Sequence, residues 1–224
     1  ITLHTSYVDI YFENTATARA ALSKIYADLR DTPPLTGTAD GMSLLLGLYA
    51  DELGYYGTGG LSIETFYIHN IQENNSLTSG FWNGSYQMIY QCNALLEGLE
   101  KSPISEEEKN PLQGEALFLR AYLHFYLLNL FGDIPFVNTT DYTTNATVAR
   151  QPEEEVYSTI IADLQMAQEL LLPTDQSGQF IYATKGAANS LLARIYAYRQ
   201  QWPEALAAAS AVLEDSPQTW TDDL

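Results

Sequence analysis

The sequence predicts an all-α fold in which helical hairpins are joined by long connecting loops. Three observations indicate this. Apolar residues recur at steps of three and four through the segment 114–137, helix start and stop signals recur along the chain, and the segment 184–217 carries the small and large residues of two closely packed helices. At 224 residues, the chain is long enough for one large domain or two small ones.

Two helices are predicted near the start of the chain. Residues 1–13 alternate aromatic and acidic side chains, which favours an extended arm. Thr15 can cap a helix over about 16–29, because its hydroxyl can accept a hydrogen bond from a free backbone N–H of the first turn. A second apolar pattern predicts a helix over about 42–53.

The segment 54–80 is predicted to be irregular, because glycines interrupt it and the polar run Gln72–Ser76 lies within it. A third helix is expected over 81–99. Asn93 falls on the apolar face of this helix and must be hydrogen-bonded, so we expect it to brace the end of a neighbouring helix. Cys92 is expected to be a small buried hydrophobe.

The longest apolar pattern predicts a buried central helix that ends at Phe131. Its start has two interpretations. Ser105 and Glu108 have the spacing of a capping box, whereas Pro111 suits the first turn of a helix that begins there. His124 lies within this helix and is expected to be a hydrogen-bonded core residue.

The end of the central helix carries strong signals. Gly132 can supply a left-handed residue and Pro135 prevents the helix from resuming. Arg120 lies inside the helix, and a buried charge needs a partner. The nearest carboxylates in sequence are Glu115 and Asp133, so one of these is the predicted partner of Arg120.

The next helix is predicted to have Pro152 at its first position and to end at Leu172. Three glutamates, Glu153–Glu155, occupy its first turn, where negative charge is favourable for the helix dipole. We interpret these glutamates as helix-start charges, not as catalytic groups. The central helix should pack between this helix and the one over 81–99.

A helical hairpin of the tetratricopeptide type is predicted over 184–217. Thr184 caps its first helix, and Pro203 opens its second. The repeat's small and large positions are met by Leu192, Ala193, Tyr196, Ala205, Ala209, Val212 and Pro217. The pattern indicates geometry and leaves function open, because such repeats serve many functions.

Composition excludes some function classes. The formal net charge of −18 argues against nucleic acid as a partner, because phosphate binding requires a cationic surface. The sequence has no uninterrupted run of about 20 apolar residues, so it predicts no membrane-spanning helix. The chain begins at Ile1 without a methionine and stops at Leu224 after a polar run, so we expect both ends to be cut.

The central segment resembles the signature of a known family. Glu115-Ala-x-Phe-Leu-Arg120-Ala, followed by Phe131-Gly132-Asp133-x-Pro135, is similar to the motif of the SusD/RagB-like proteins, which are glycan-binding lipoproteins of the Bacteroidetes outer membrane. Further blocks resemble the family in order and spacing. They are Trp82–Leu96, Arg150–Leu164, Ala183–Ala188 and Leu191–Tyr196.

The resemblance implies a non-catalytic protein that captures oligosaccharide or polysaccharide at the cell surface. It also implies lipid anchoring to the outer membrane through an N-terminal cysteine that this chain does not contain. The implied partner is a SusC-like TonB-dependent transporter, over which the lipoprotein sits as a lid. Residues 1–224 would form the N-terminal helical-repeat region, with the C-terminal part of the family absent. Glu115, Arg120, Gly132, Asp133 and Pro135 are then scaffold residues of the family motif.

Five residues are the candidate glycan contacts. A pyranose ring has an apolar face that can lie on an aromatic ring, while its hydroxyl groups take hydrogen bonds from polar side chains. The aromatic, glycine-rich stretch before the 81–99 helix and the start of that helix supply such groups. The candidates are Tyr55, Tyr56, Tyr67, Trp82 and Asn83.

No catalytic, metal-binding or cofactor-binding motif is recognisable. His4, His69 and His124 are far apart, and none has a metal-ligand neighbour at helical spacing. A glycosidase needs two carboxyl groups that face each other across a cleft, and nothing in the sequence places such a pair. The alternative to glycan capture is a helical-repeat adaptor that binds a protein or peptide through its concave face.

Overall fold

The computed structural model describes residues 12–33, 40–59, 62–175, 177 and 181–215. Within these ranges the protein is helical, and its β pairing is one antiparallel bridge between Ile134 and Gln151. The predicted all-α fold is therefore confirmed. The helices are α1 (Thr15–Asp31), α2 (Met42–Tyr49), α3 (Glu64–Tyr67), α4 (Ser76–Lys101), α5 (Glu106–Phe131), α6 (Tyr142–Asn145), α7 (Glu153–Leu170), α8 (Lys185–Tyr198) and α9 (Trp202–Asp215).

Helix α5 lies at the centre of the fold. It packs between α4 and α7, as its two apolar faces predict, and α1 covers α4 and α5 on one side. Helices α7, α8 and α9 follow as successive packed neighbours, so the last two form a hairpin. None of the described helices combines the length and hydropathy that crossing a membrane requires. Most of the expected extended arm and Pro217 lie outside the described residues.

Arg120 joins the three central helices through hydrogen bonds that the sequence prediction missed. Its Nε and Nη2 donate to the two carboxylate oxygens of Asp163 on α7, at 2.8 and 2.7 Å, and its Nη1 donates to Asn93 Oδ1 on α4, at 2.9 Å. The predicted partners, Glu115 and Asp133, are wrong. Five residues along a helix turn a side chain to another face, and Asp133 lies beyond the helix end.

The two predicted partners have other roles. The carboxylate of Glu115 accepts a 2.6 Å hydrogen bond from Arg19 on α1. Asp133 Oδ1 accepts from the backbone N–H of Glu153 at 3.1 Å, and its carbonyl accepts from Arg150 at 2.7 Å. Asp133 therefore supports the start of α7.

Polar side chains in the core fasten the segment that follows α5. Asn93 donates to the carbonyl groups of Val137 and Thr139, at 3.1 and 3.4 Å, so it braces this connecting segment and not the helix end that was predicted. His124 is fully buried and hydrogen-bonded, as expected. Its Nε2 accepts from the Val137 N–H at 3.2 Å, so the ring proton lies on Nδ1 and is donated to the Arg120 carbonyl at 2.9 Å.

Several helix boundaries differ from the predictions near the start of the chain. Helix α1 is capped by Asn14, whose side chain accepts from the Thr17 N–H at 3.0 Å, and not by Thr15. Helix α2 ends at Tyr49 and not near residue 53, because Asp51 has a φ of 59° and the chain folds back onto the Gly47 carbonyl.

The central helix begins at Glu106 and keeps Pro111 inside, so the earlier of its two predicted starts is correct. The Ser105 hydroxyl, however, donates to the Glu108 carboxylate at 2.8 Å and does not cap the backbone. At the other end, Gly132 has the expected positive φ of 68°. Its ψ of −139° differs from that of a left-handed helical residue and belongs to a conformation open essentially to glycine alone.

Helix α7 starts one residue later and ends two residues earlier than predicted. Pro152 is its N-cap, with an extended ψ of 145°, and Leu170 is its last residue. The prediction for α8 is correct, since the Thr184 hydroxyl accepts from the Ala187 N–H at 3.3 Å.

We predict that Asp163→Ala lowers the free energy of unfolding by about 3–5 kcal/mol, because it leaves the buried guanidinium of Arg120 without its carboxylate. Urea denaturation followed by circular dichroism measures the change. The control is Glu154→Ala, which removes the exposed partner of Arg199 and should cost at most about 1 kcal/mol. Equal losses for the two variants would contradict the prediction.

His124 should make the fold sensitive to acid. Burial lowers its pKa to about 3 from an ordinary value of 6.5. Between these values the unfolded chain binds a proton that the folded chain does not, so stability falls as the pH falls. We expect this residue to contribute about 1.4 kcal/mol per pH unit below pH 6.5. Denaturation of the wild type and of His124→Gln at pH 7, 6 and 5 tests this, and parallel pH profiles would refute it.

Candidate functional site

A second, smaller core carries the aromatic stretch that precedes α4. It contains Met42, Leu45, Leu48, Phe66 and Phe81, which come from α2, α3 and the start of α4. Leu130 and Phe131 at the end of α5 also pack against it. The central helix thus reaches the base of this region directly.

The segment 54–80 is more regular than predicted. It contains α3 and the first turn of α4, which begins at Ser76 and not near residue 81. Asn75 accounts for this start: its side-chain oxygen accepts from the N–H groups of Leu77 and Thr78, at 2.9 and 3.3 Å. Its side-chain nitrogen donates to the Thr65 hydroxyl at 2.8 Å. A single buried asparagine therefore ties α3 to α4.

The ends of α2 and α3 meet through His69. His69 Nε2 donates to the Tyr49 carbonyl at 2.7 Å, and the two rings pack edge to face with centroids 4.9 Å apart. Because a carbonyl can only accept, the hydrogen bond places a proton on Nε2, and in the matching tautomer Nδ1 is an acceptor. His69 and Asp51 both have positive φ, at 53° and 59°. Such backbone conformations in residues other than glycine occur often at functional sites.

Three tyrosines around this junction are exposed to solvent. The exposed fractions of Tyr49, Tyr56 and Tyr67 are 49%, 98% and 39%. We call Tyr49, Tyr56, Tyr67 and His69 the aromatic surface. Tyr55 supports it: its ring lies 6.3 Å from that of Tyr67 and packs against the smaller core. Of the five predicted contacts, the structure thus brings the rings of two together, Tyr55 and Tyr67, and Tyr56 is the exposed chain neighbour of Tyr55.

Trp82 packs at the edge of the main core. Its ring contacts Phe131 edge to face at 5.1 Å and Tyr86 at 4.9 Å, and the guanidinium of Arg150 lies 5.3 Å from its centroid. Much of the indole is therefore already covered by protein. Asn83, the next residue, is exposed. We expect this pair to be a weaker platform for a ligand than the aromatic surface.

Sequence reasoning missed Tyr49 and His69. Tyr49 matched the apolar face of the predicted helix, but it is the last residue of α2 and its side chain is half exposed. His69 has no metal-ligand neighbour in sequence, and no local pattern signals its left-handed backbone. Among the described residues, no group of three His, Cys, Asp or Glu side chains could hold a metal ion.

Comparison with known proteins identifies the class of helical protein to which this chain belongs. The family model described as "Starch-binding associating with outer membrane", SusD-like_3, matches residues 58–197. The chain belongs to this SusD-like family. It is 31% identical over 209 residues to SusD-like protein P2 of Formosa agariphila. The aligned residues make up 92% of this chain and 40% of that relative.

Solved structures agree with this assignment. A SusD superfamily protein from Bacteroides vulgatus superposes with a TM-score of 0.79 at 25% identity, over 94% of this chain and 45% of that protein. A laminarin-binding SusD-like protein superposes with a TM-score of 0.78 at 25% identity, over 93% of this chain and 45% of its own length. The chain thus spans less than half the length of these relatives.

We predict that Asn75→Ala weakens the support of the aromatic surface. The substitution removes the side-chain cap of α4 and the hydrogen bond to Thr65 on α3. Loss of such a cap costs about 1–2 kcal/mol. Hydrogen exchange should accelerate in residues 62–71 more than in α7. The control is Asn14→Ala, which removes the cap of α1, and it should leave exchange in residues 62–71 unchanged. Uniform acceleration in both variants would contradict a local role for Asn75.

Proposed function

We propose that this protein captures oligosaccharide at the cell surface without altering it chemically. The observation that carries the proposal is the aromatic surface, in which exposed tyrosine rings stand on a packed base. Membership of a carbohydrate-binding family supports the ligand class. The net charge of −18 also favours a neutral sugar over an anionic ligand.

The chemistry of the surface suits a pyranose. The C–H face of the sugar would lie on the ring of Tyr67 or Tyr49, as apolar groups do on aromatic side chains. The sugar hydroxyl groups would donate to Nδ1 of His69, whose other nitrogen is held by the Tyr49 carbonyl. Tyr56 extends into solvent and could close over the ligand, since its phenol is almost free of contacts.

We propose further that the protein acts at the outer membrane. On this view it is held by a lipid anchor and passes its ligand to a SusC-like TonB-dependent transporter. Residues 1–224 would be the N-terminal helical-repeat region of a longer protein, with the tetratricopeptide-like hairpin over 184–217. The description of the family model and the length of the relatives support these proposals.

A second function, capture of a protein or peptide, is favoured by one observation. The outer side of α9 exposes an apolar row made of Trp202, Leu206 and Leu213. Residues spaced by four and seven lie on one helix face, which is how helical repeats present a binding surface. Binding of a peptide in place of any glycan would favour this function.

We predict that Tyr67→Ala weakens binding of oligosaccharide about tenfold or more, which corresponds to about 1.4 kcal/mol. The loss follows from removing a stacking ring. Isothermal titration calorimetry with laminarin and starch oligosaccharides measures the affinity. The matched control is Tyr142→Ala, which removes a tyrosine that is 81% exposed and lies on α6.

The control should bind as the wild type does, and both variants should keep their melting temperature within a few degrees. Equal affinity of Tyr67→Ala and the wild type for a glycan that binds would remove the aromatic surface from the site. Trp82→Ala then tests the other predicted platform. We expect Trp82→Ala to lose less affinity than the tenfold expected for Tyr67→Ala. It should also lose stability, because Trp82 packs on Phe131 and Tyr86.

A further inference from the structure

Asp51 places a carboxylate at the edge of the aromatic surface. It is the second residue after α2, and its side chain is 72% exposed. Its Oδ1 lies 3.7 Å from His69 Nε2, and the His69 ring packs edge to face with the ring of Tyr49. A carboxylate, an imidazole and a phenol ring therefore share one small area of the surface.

The backbone around Asp51 is fixed by the turn that ends α2. The Asp51 N–H donates to the Leu48 carbonyl at 3.3 Å, and the N–H groups of the next two residues both donate to the Gly47 carbonyl, at 3.0 and 3.1 Å. The Leu53 side chain closes onto Gly47, where an added Cβ would lie 2.9 Å from Leu53 Cδ1. Because the turn is already ordered, a ligand that binds Asp51 loses little affinity to ordering of the backbone.

The carboxylate of Asp51 is free to accept hydrogen bonds. In the part of the chain that the structure describes, no group donates to it, and His69 Nε2, at 3.7 Å, donates to the Tyr49 carbonyl instead. Aspartate adopts a positive φ more readily than most residues, so its backbone alone does not indicate a ligand. The position of a free carboxylate beside an exposed aromatic ring does, because hydroxyl groups form strong hydrogen bonds with carboxylates.

We propose that the carboxylate of Asp51 accepts from two adjacent hydroxyl groups of a sugar that lies on the aromatic surface, and that it selects glycans with such a pair. This inference rests on the proposed function. Each oxygen of an ionised carboxylate would accept one O–H, and such bonds are about twice as strong as those between neutral groups. The neighbouring Tyr49 ring would contact the apolar face of the same sugar.

The hydroxyl pair defines a class of glycan. In a 1,4-linked hexopyranose chain, the hydroxyl groups on carbons 2 and 3 of each unit are free and adjacent. A 1,6-linked chain also keeps this pair. A 1,3 linkage occupies carbon 3, so the free ring hydroxyls of an internal unit, on carbons 2 and 4, are not adjacent. Asp51 would therefore favour 1,4-linked and 1,6-linked glycans over 1,3-linked ones.

Titration calorimetry of the whole chain with four hexaoses tests the proposal. Maltohexaose, cellohexaose and isomaltohexaose carry the adjacent pair in every unit, whereas only the end units of laminarihexaose carry one. The wild type should bind at least one of the first three about tenfold more tightly than laminarihexaose. The 2-deoxy analogue of that preferred hexaose, which lacks one hydroxyl of each pair, should bind about tenfold more weakly than its parent.

Two variants locate the contact. Asp51→Asn removes the charge, and asparagine tolerates the φ of 59° at this position, so the turn should be kept. This variant should bind the preferred hexaose about tenfold more weakly than the wild type and should no longer distinguish it from its 2-deoxy analogue. The matched control is Glu52→Gln, which removes the exposed carboxylate of the next residue. It should bind all four hexaoses as the wild type does.

The outcomes separate this inference from the function on which it rests. Laminarihexaose binding as tightly as the other hexaoses, or unchanged affinity in Asp51→Asn, would overturn the role of Asp51. If Tyr67→Ala loses affinity in the same titrations while Asp51→Asn does not, glycan capture by the aromatic surface stands and the inference about Asp51 fails alone. Absence of binding for all four hexaoses would overturn both.

Discussion

The contact of Arg120 with Asp163 and Asn93 joins the three central helices, and the remaining structure is arranged around it. Burial raises the pKa of Asp163, an effect that Arg120 opposes, so the pair is held at an energetic cost. Buried ion pairs often add little net stability compared with apolar packing. What this one contributes is register: two parallel hydrogen bonds and a third to Asn93 allow only one alignment of α4, α5 and α7.

Side chains of α4 and α5 also fix the segment that follows α5. Asn93 binds the carbonyl of Val137, and His124 binds its N–H, so both backbone groups of one residue are fixed by core side chains. Tyr86 adds a 2.7 Å bond to the Pro135 carbonyl. The connecting segment therefore runs along a defined path although it has almost no regular secondary structure. The end of α5 is fixed with it, and Phe131 contacts the smaller core that supports the aromatic surface.

Sequence patterns predicted the features that depend on residues close together in the chain, such as helix faces and helix ends. The apolar faces of α5 follow from helical periodicity, the Thr184 hydroxyl caps α8, and Gly132 takes a positive φ that the absence of a Cβ permits. Partners across helices were not predictable in the same way. Arg120 needs a carboxylate, but sequence separation does not reveal that Asp163, 43 positions away, faces it. The left-handed backbone of His69 was likewise missed, because a non-glycine residue adopts it only where surrounding contacts impose it.

The family motif contains residues that have different tasks. Arg120, Gly132 and Pro135 serve the packing and the end of α5. Glu115 belongs to the same motif but points to the opposite end of the helix, where α1 and the segment after α7 meet. Its carboxylate accepts from Arg19 on α1, so it joins α5 to a different helix from those that Arg120 contacts. Two charged residues five positions apart on α5 therefore fix it to different neighbours, because a turn of about 140° separates their side chains.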